Sequence, residues 1–566
     1  MSITQKTHYE ILVKQVRTWA ILEVRNTREV ALNDAEEIWK NGQYIGIRVI
    51  KESFDQESKQ FSSVEIFSRG INRKESKYDK TGQIAPCLSP NDLYSIDGRK
   101  SIWDLLNNTL TLWQITPTEL LHNLEHYYKL YNEGNKLQDA VQRTAVTFED
   151  EENSIQSRMQ KLYKVIELAV TVMKQAQDDI PSLDAGKLNP LVQSLSERAN
   201  RTFLLLSAIT NYIKPTLTLS DKFGRIAVLL SPSRPYWVME ALDQLLSEFL
   251  LHPGLIVQML GTKNEDDRGP FLSQLVYLQS GNLNLVDTPN HSAKFSDDVL
   301  RINSFISEKK LPATRHVLLE RLKHEITEPK PINNNGLNAQ IEKLKTLQDL
   351  LVSFETEDHI LEDIEDIINT RMGRLINSQT IGEILYEIEC PFEQINTLLD
   401  IEEHTLGASN KRTLANFILP ILSRPDYETI FMGLNENPLH CMPKLADLQA
   451  RILKTEFSEM HRRKISEELD KFCRTIMDST QILKKVHQLN IKIQDKAMKL
   501  LTMLAENYFT EGDCREQAEK QVRLYMKQTG FTEGLIIDLP AAERPIALLD
   551  FRALLERAGI NRVDDI

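Results

Sequence analysis

The chain has 566 residues, 41 % of them hydrophobic and 26 % charged, with a formal net charge of −13. At that length two to four domains are expected, each with an adequate core, so disulfides and structural metal are not needed for stability. Residues 1–100 hold 16 Lys/Arg against 14 Asp/Glu, so the acidic excess lies in the remainder, and an acidic body repels a phosphate backbone.

The first seventy residues alternate. Trp19–Val24 sets Ala20, Leu22 and Val24 on one face, and Tyr44–Ile50 groups Ile45, Ile47 and Val49, the period-2 pattern of half-buried strands. Between them Ala31, Leu32, Ala35, Ile38 and Trp39 gather on one helical face ended by Gly42. Phe61–Phe67 returns after the polar loop 55–60 and completes a β-β-α-β-β module over residues 1–70 whose pairing order the sequence leaves open. Residues 71–100 lose the apolar period and read as a charged linker, with Arg69, Arg73, Lys74, Lys77 and Lys80 beside Tyr78.

Helical periodicity then continues to the end. Thr116-Pro117-Thr118-Glu119 has a capping threonine, proline at the first helical position and a glutamate that reaches back to the cap. The apolar run Thr202–Ile213 spans only 12 residues before Lys214 and Pro215, too short for a bilayer crossing and suited to a buried helix. A long loop is expected over 280–295. The Pro/Asn/Gly-rich stretch 328–336 marks a boundary between helical domains at 101–327 and 338–540. Ile493, Ala497, Leu500, Leu501, Leu504 and Tyr508 form one stripe that Gly512 terminates, with Asp513 and Glu516 at the next helix start. Residues 541–566 hold a docking helix and tail, in which Ala547, Leu548, Phe551, Leu554 and Leu555 make an apolar stripe closed by Gly559. The fold class is mainly α: the small N-terminal α/β module, then a large two-part all-helical body.

Chemistry-bearing patterns are few. His122-Asn123-Leu124-Glu125-His126 has the H-x-x-E-H spacing of the inverzincin metallopeptidases, in which two histidines one turn apart share zinc and the glutamate activates water. On that reading the chain is a zinc-dependent hydrolase with His122, His126 and the downstream Glu197 as ligands and Glu125 as general base. Helix geometry favours a solvated face instead, because Leu120, Leu121, Leu124, Tyr127, Tyr128 and Tyr131 cluster on the opposite side. The acidic segments 149–152 and 357–366 lack calcium-loop spacing and read as solvated helix. His461-Arg462-Arg463-Lys464 is interleaved with Glu456, Glu459, Glu467 and Glu468, which favours surface ion pairing.

Cys87, Cys390, Cys441, Cys473 and Cys514 form no C-x-x-C pair and read as reduced thiols. With no basic-then-apolar leader at residues 1–10, a cytoplasmic location is expected. No nucleotide-binding, nucleophile-elbow or kinase signature is present, and no cofactor is expected. The expectation is a noncatalytic interaction, scaffold or regulatory protein that binds other proteins. Its contact residues are read as Leu548, Phe551 and Leu555 in the terminal helix and Arg73, Lys74 and Lys77 in the linker. A nucleic-acid-associated protein using the N-terminal module and basic linker is the third reading.

Overall fold

The computed structural model of the chain describes residues 6–15, 18–44, 46–55, 60–70, 84–85, 87–147, 154–184, 187–216, 218–261, 268–286, 295–355, 357–425, 427–433 and 438–560. The fold is mainly α, with one small four-stranded antiparallel sheet near the N-terminus followed by many helices among the described residues. Among the described residues no helix is long and apolar enough to cross a membrane. The chain divides into two compact units, one of residues 1–71, 335–345 and 365–566, the other of residues 72–334 and 346–364.

In the first unit, β1 (Lys6–Gln15), β2 (Thr18–Arg25), helix α1 (Arg28–Lys40), β3 (Gly46–Asp55) and β4 (Gln60–Arg69) build the β-β-α-β-β module, with strand order β2-β1-β3-β4. Ile11 opposes Val49 and Val13 opposes Ile47, so the alternation of both central strands sends these four side chains to one face. There they meet Ala31 and Ala35 of α1, and all six are buried. The small alanines allow the helix to approach the sheet closely, and Leu32, Ile38 and Trp39 close the edges.

The edge strand β2 departs from the sequence reading. Its register against β1 slips between Ile11 and Leu12, which pair with Glu23 and Ile21, so Leu22 is the extra, unopposed residue of a bulge. Beyond it the side-chain alternation changes face. Val24 opposes Glu10 rather than an α1-facing residue and Leu22 is 40 % exposed, so Leu22 and Val24 do not share a buried face as expected, while the Ala20 side chain lies outside the described residues. Arg25 is instead turned to α1, where its guanidinium donates to Asp34.

The face of the sheet away from α1 is also covered. His8, Glu10, Leu12 and Lys14 of β1 and Glu52 of β3 are all buried. Glu52 accepts from Arg412 of the Ala408–Leu422 helix, 360 residues away in sequence, and Thr7, His8 and Val24 line one pocket with Glu459, Met460 and Arg463 of the Glu459–Thr480 helix.

Further along the same unit, the stripe beginning at Ile493 forms a helix that stops at Ala505, earlier than the expected end at Gly512. Asn507 adopts a left-handed conformation (φ +53°), which the helix cannot continue, so Tyr508 lies outside it. Gly512 (φ +133°) precedes the Asp513–Met526 helix, and a Cβ there would sit 2.6 Å from an Asp470 carboxylate oxygen that accepts from the Asp513 N–H at 2.8 Å. The last helix described, Arg544–Arg557, packs on the Ile493–Ala505 and Phe531–Ile536 helices.

Among its described residues the second unit contains helices and no strand. Leu204, Leu205, Leu206, Ala208 and Ile209 of the Arg201–Ile213 helix are buried, as expected of that apolar run. The Tyr236–Leu250 helix buries ten of its residues and packs against Pro312–Thr327. Asp243 joins these two: its carboxylate accepts the Ala313 and Thr314 N–H groups at 2.8 Å each, satisfying amides at a helix N-terminus that would otherwise lack partners. Of the expected loop over 280–295, Leu283–Leu285 forms a short 3-10 turn, and 287–294 lies outside the described residues.

Candidate functional site

The capping box at Thr116 forms as its sequence predicts. Thr116 Oγ1 accepts the Glu119 N–H at 3.2 Å, and Glu119 Oε2 accepts the Thr116 N–H at 2.9 Å. The helix it starts, Pro117–His122, is short: Asn123 takes an extended conformation (φ −134°, ψ 114°) and caps a second helix, Leu124–Asn132, by accepting the Glu125 N–H at 2.9 Å. Asparagine competes with the backbone for hydrogen bonds and so favours such breaks.

That break changes the expected geometry of His122, Glu125 and His126, which assumed one continuous helix. His122 is 5 % exposed rather than solvated. Its Nδ1 bonds to the Thr118 carbonyl at 2.8 Å, and its ring packs 4.9 Å from Phe203 and 5.3 Å from Tyr94. Burial pushes its pKa down to about 3, with the Arg99 charge adding to the effect, so the ring is neutral near pH 7. His126 lies in the second helix, and burial, then the Lys222 and Lys214 charges, lower it to about 4. Glu125 faces solvent and pairs with Lys214 at 2.6 Å, which holds its carboxyl below the usual range. Glu197 is exposed in the turn after the Leu188–Leu195 helix. Tyr128 and Tyr131, placed on the apolar side by helical spacing, are 43 % and 62 % exposed. Among the described residues no three His, Cys, Asp or Glu side chains converge on a position where they hold a metal ion.

What converges here is a buried ionic network that sequence spacing did not reveal. Thr118 Oγ1 accepts from Arg99 Nη1 at 2.8 Å and donates to Glu248 Oε1 at 2.7 Å, while Glu248 Oε2 accepts the Thr118 N–H at 2.8 Å. Arg99 closes the triangle on Glu248 at 3.0 Å and donates its other amino group to Gln244. Beside it, Lys222 Nζ donates to Glu119 Oε1 at 2.7 Å and to the Gln114 carbonyl at 2.8 Å. Burial raises the Glu119 pKa and the Lys222 charge opposes that rise. A hydroxyl bonded to a carboxylate superficially suggests a nucleophile and its base. Thr118, Arg99 and Glu248 are 0, 4 and 6 % exposed, however, and the hydroxyl's proton and lone pair are both engaged, so the arrangement serves as an interior brace. The one sequence signal for it was the capping-box glutamate, since Arg99 and Glu248 are 149 positions apart.

The first unit holds a comparable group under the sheet. Arg412 pairs with Glu52, and His8 Nε2 lies 3.1 Å from Glu10 Oε1. His461 bonds through Nδ1 to Ser458 Oγ at 2.7 Å and through Nε2 to Asn416 Oδ1 at 3.2 Å. Its pKa falls to about 3, first through burial and then through the Arg412 and His8 charges. Its charged sequence neighbours predict a surface position for His461. Its ring is instead fully buried, while Arg463 and Lys464 do pair with Glu467, at 3.7 and 3.1 Å.

Of the remaining predicted contact residues, Arg73, Lys74 and Lys77 lie outside the described residues, as does the acidic segment 149–152. Phe551 and Leu555 are buried within the chain, Phe551 against Phe531 at 5.9 Å between ring centres, and Leu548 is half-buried. The opposite side of that helix carries Ile546 (58 % exposed), Leu549 (63 %) and the exposed Ala553, at i, i+3 and i+7. Compared with protein families, with curated proteins and with solved structures, the chain finds no significant match in any of the three.

Proposed function

We propose that the protein is a noncatalytic interaction protein, acting as a scaffold or regulator in a reducing, cytoplasmic setting, and that the outer face of the Arg544–Arg557 helix receives its partner. The observation that carries this reading is that two large apolar side chains, Ile546 and Leu549, stand exposed on the outer face of the helix beside Asp550, Glu556 and Arg557. Phe551, Leu555 and Ala558 pack inward, yet Ile546, Leu549 and Ala553 face solvent. A surface helix ordinarily presents polar residues outward, and apolar side chains left together at the surface mark interaction sites. The occupant this face suits is a helix or groove of another protein, engaged by anchors at i, i+3 and i+7. Five free cysteines, four of them buried, agree with a reducing compartment.

Affinity capture from the native cell, using the intact chain and the Ile546→Glu/Leu549→Glu variant, tests the reading. The expected result is a partner retained by the intact chain and reduced at least tenfold in the variant, with an unchanged melting temperature, because both residues are exposed. Equal recovery of every co-purifying protein by both chains would overturn it.

A further inference from the structure

The helices Ile96–Trp113, Pro117–His122, Leu124–Asn132, Lys136–Thr147 and Ile155–Ala176 enclose a cavity of about 110 Å³ in the second unit. Its wall is built almost entirely from aliphatic side chains, among them Leu106, Leu120, Val165 and Met173. Well-packed interiors leave few voids larger than a water molecule. This space exceeds the roughly 30 Å³ that one water occupies in the liquid and provides little for water to hydrogen-bond, so it favours hydrocarbon over solvent. An apolar cavity of about 150 Å³ in another protein takes up benzene, which puts this one in the range of a short alkyl segment.

The cavity is not closed. Ile84, Leu105, Leu106 and Ala140 line both it and an adjoining groove of about 1100 Å³, whose other walls carry Asp104, Asn107, Lys136, Asp139 and Arg143. Apolar depth and a polar, mixed-charge groove therefore lie side by side across four shared residues. That pairing of surfaces matches one chemistry, a molecule with a hydrocarbon end and a hydrated head.

We propose that this cavity is a binding site for a single-chain amphiphile, with the end of its alkyl tail among the aliphatic residues and its head in the groove beside Lys136 and Arg143. The site is independent of the helix face assigned to a protein partner. Binding stabilises the second unit by mass action.

The test uses the full chain with cis-parinaric acid as a fluorescent probe and n-decanol and decanoate as competitors. Saturable one-to-one fluorescence, displacement by both competitors and a rise in melting temperature with added decanol are expected. Ala140→Leu fills the cavity from its wall, and Leu105→Trp obstructs its half-buried rim. Each is expected to weaken probe binding at least tenfold, and the rim variant decides the matter if the wall variant misfolds. Absence of saturable binding, or equal binding by the wild type and Leu105→Trp, would overturn the proposal.

Discussion

Both units bury ion pairs, but they anchor them differently. In the second, Glu248 pairs with Arg99 and also accepts the backbone N–H and hydroxyl of Thr118, so charge pairing and the start of a helix depend on one carboxylate. In the first, Glu52 and Arg412 join a sheet face to a helix, and Arg412 retains 14 % side-chain exposure while Glu52 has none. A buried pair repays its desolvation only when the remaining hydrogen-bonding groups are also satisfied. The comparison teaches that the harm done by breaking such a pair depends on what else the lost partner was holding.

Removing one member of a buried pair costs about 3–5 kcal/mol. Glu248→Ala should fall at the upper end, because it leaves both the Arg99 charge and the Thr118 amide without their acceptor. Arg412→Ala should fall at the lower end, because Arg412 holds no helix start and removing its partly exposed side chain opens a way for water to reach Glu52. Urea denaturation of both variants measures the difference, and a larger loss for Arg412→Ala would reverse the ranking of the two anchors.

The pH dependence separates the two regions next, with slopes of opposite sign. His461 in the first unit is depressed from 6.5 to about 3 by burial. Between those values the unfolded chain takes up a proton that the folded chain does not, so its contribution to stability is lost as pH falls from 6.5 toward 3. Asp243 in the second unit is raised from 3.8 to about 6, also by burial. There the folded chain keeps a proton that the unfolded chain has released, so raising the pH from 4 to 6 removes stability, about 3 kcal/mol at most. Urea midpoints between pH 4 and 7.5 should fall less steeply toward acid in His461→Asn and more steeply in Asp243→Asn. Parallel curves for the wild type and both variants would remove these two groups from the acid response.

The smallest effect concerns the Thr116 cap. Thr116→Ala should cost about 1 kcal/mol, the usual value of a capping side chain. It should shift the melting temperature without altering the slopes just described, since Glu119 keeps its bond to Lys222.

These anchors also show where the sequence was readable. The cap at Thr116, the helix over 201–213, the apolar α1 face and the inward stripe of the Arg544–Arg557 helix all depend on residues within a few positions of one another, and local chemistry specifies them. The strand order and the Glu52–Arg412 tie depend on partners brought together only by the completed fold. The Leu22 bulge and the Asn123 break are intermediate cases: one irregular residue redirects the chain after it, leucine gives no sign of this, and asparagine favours a break without fixing where one occurs. The burial of His122 and His461 is not legible for a different reason: a histidine's surroundings are set by distant elements such as Phe203 and Asn416.

The sheet of the first unit has a bearing on how the chain is made. Its second face is covered by a helix that begins at Ala408, so a ribosome working at about 5–20 residues per second leaves that face bare for roughly 20–70 s after the strands emerge. A greasy face exposed for so long would invite pairing with neighbouring nascent chains. His8, Glu10, Lys14 and Glu52, buried and demanding in the finished protein, are during that interval hydrated charges and polar groups that discourage such encounters. Their presence under the sheet is then intelligible as protection for a half-made molecule, with Glu52 paired once the late-arriving Arg412 takes its place.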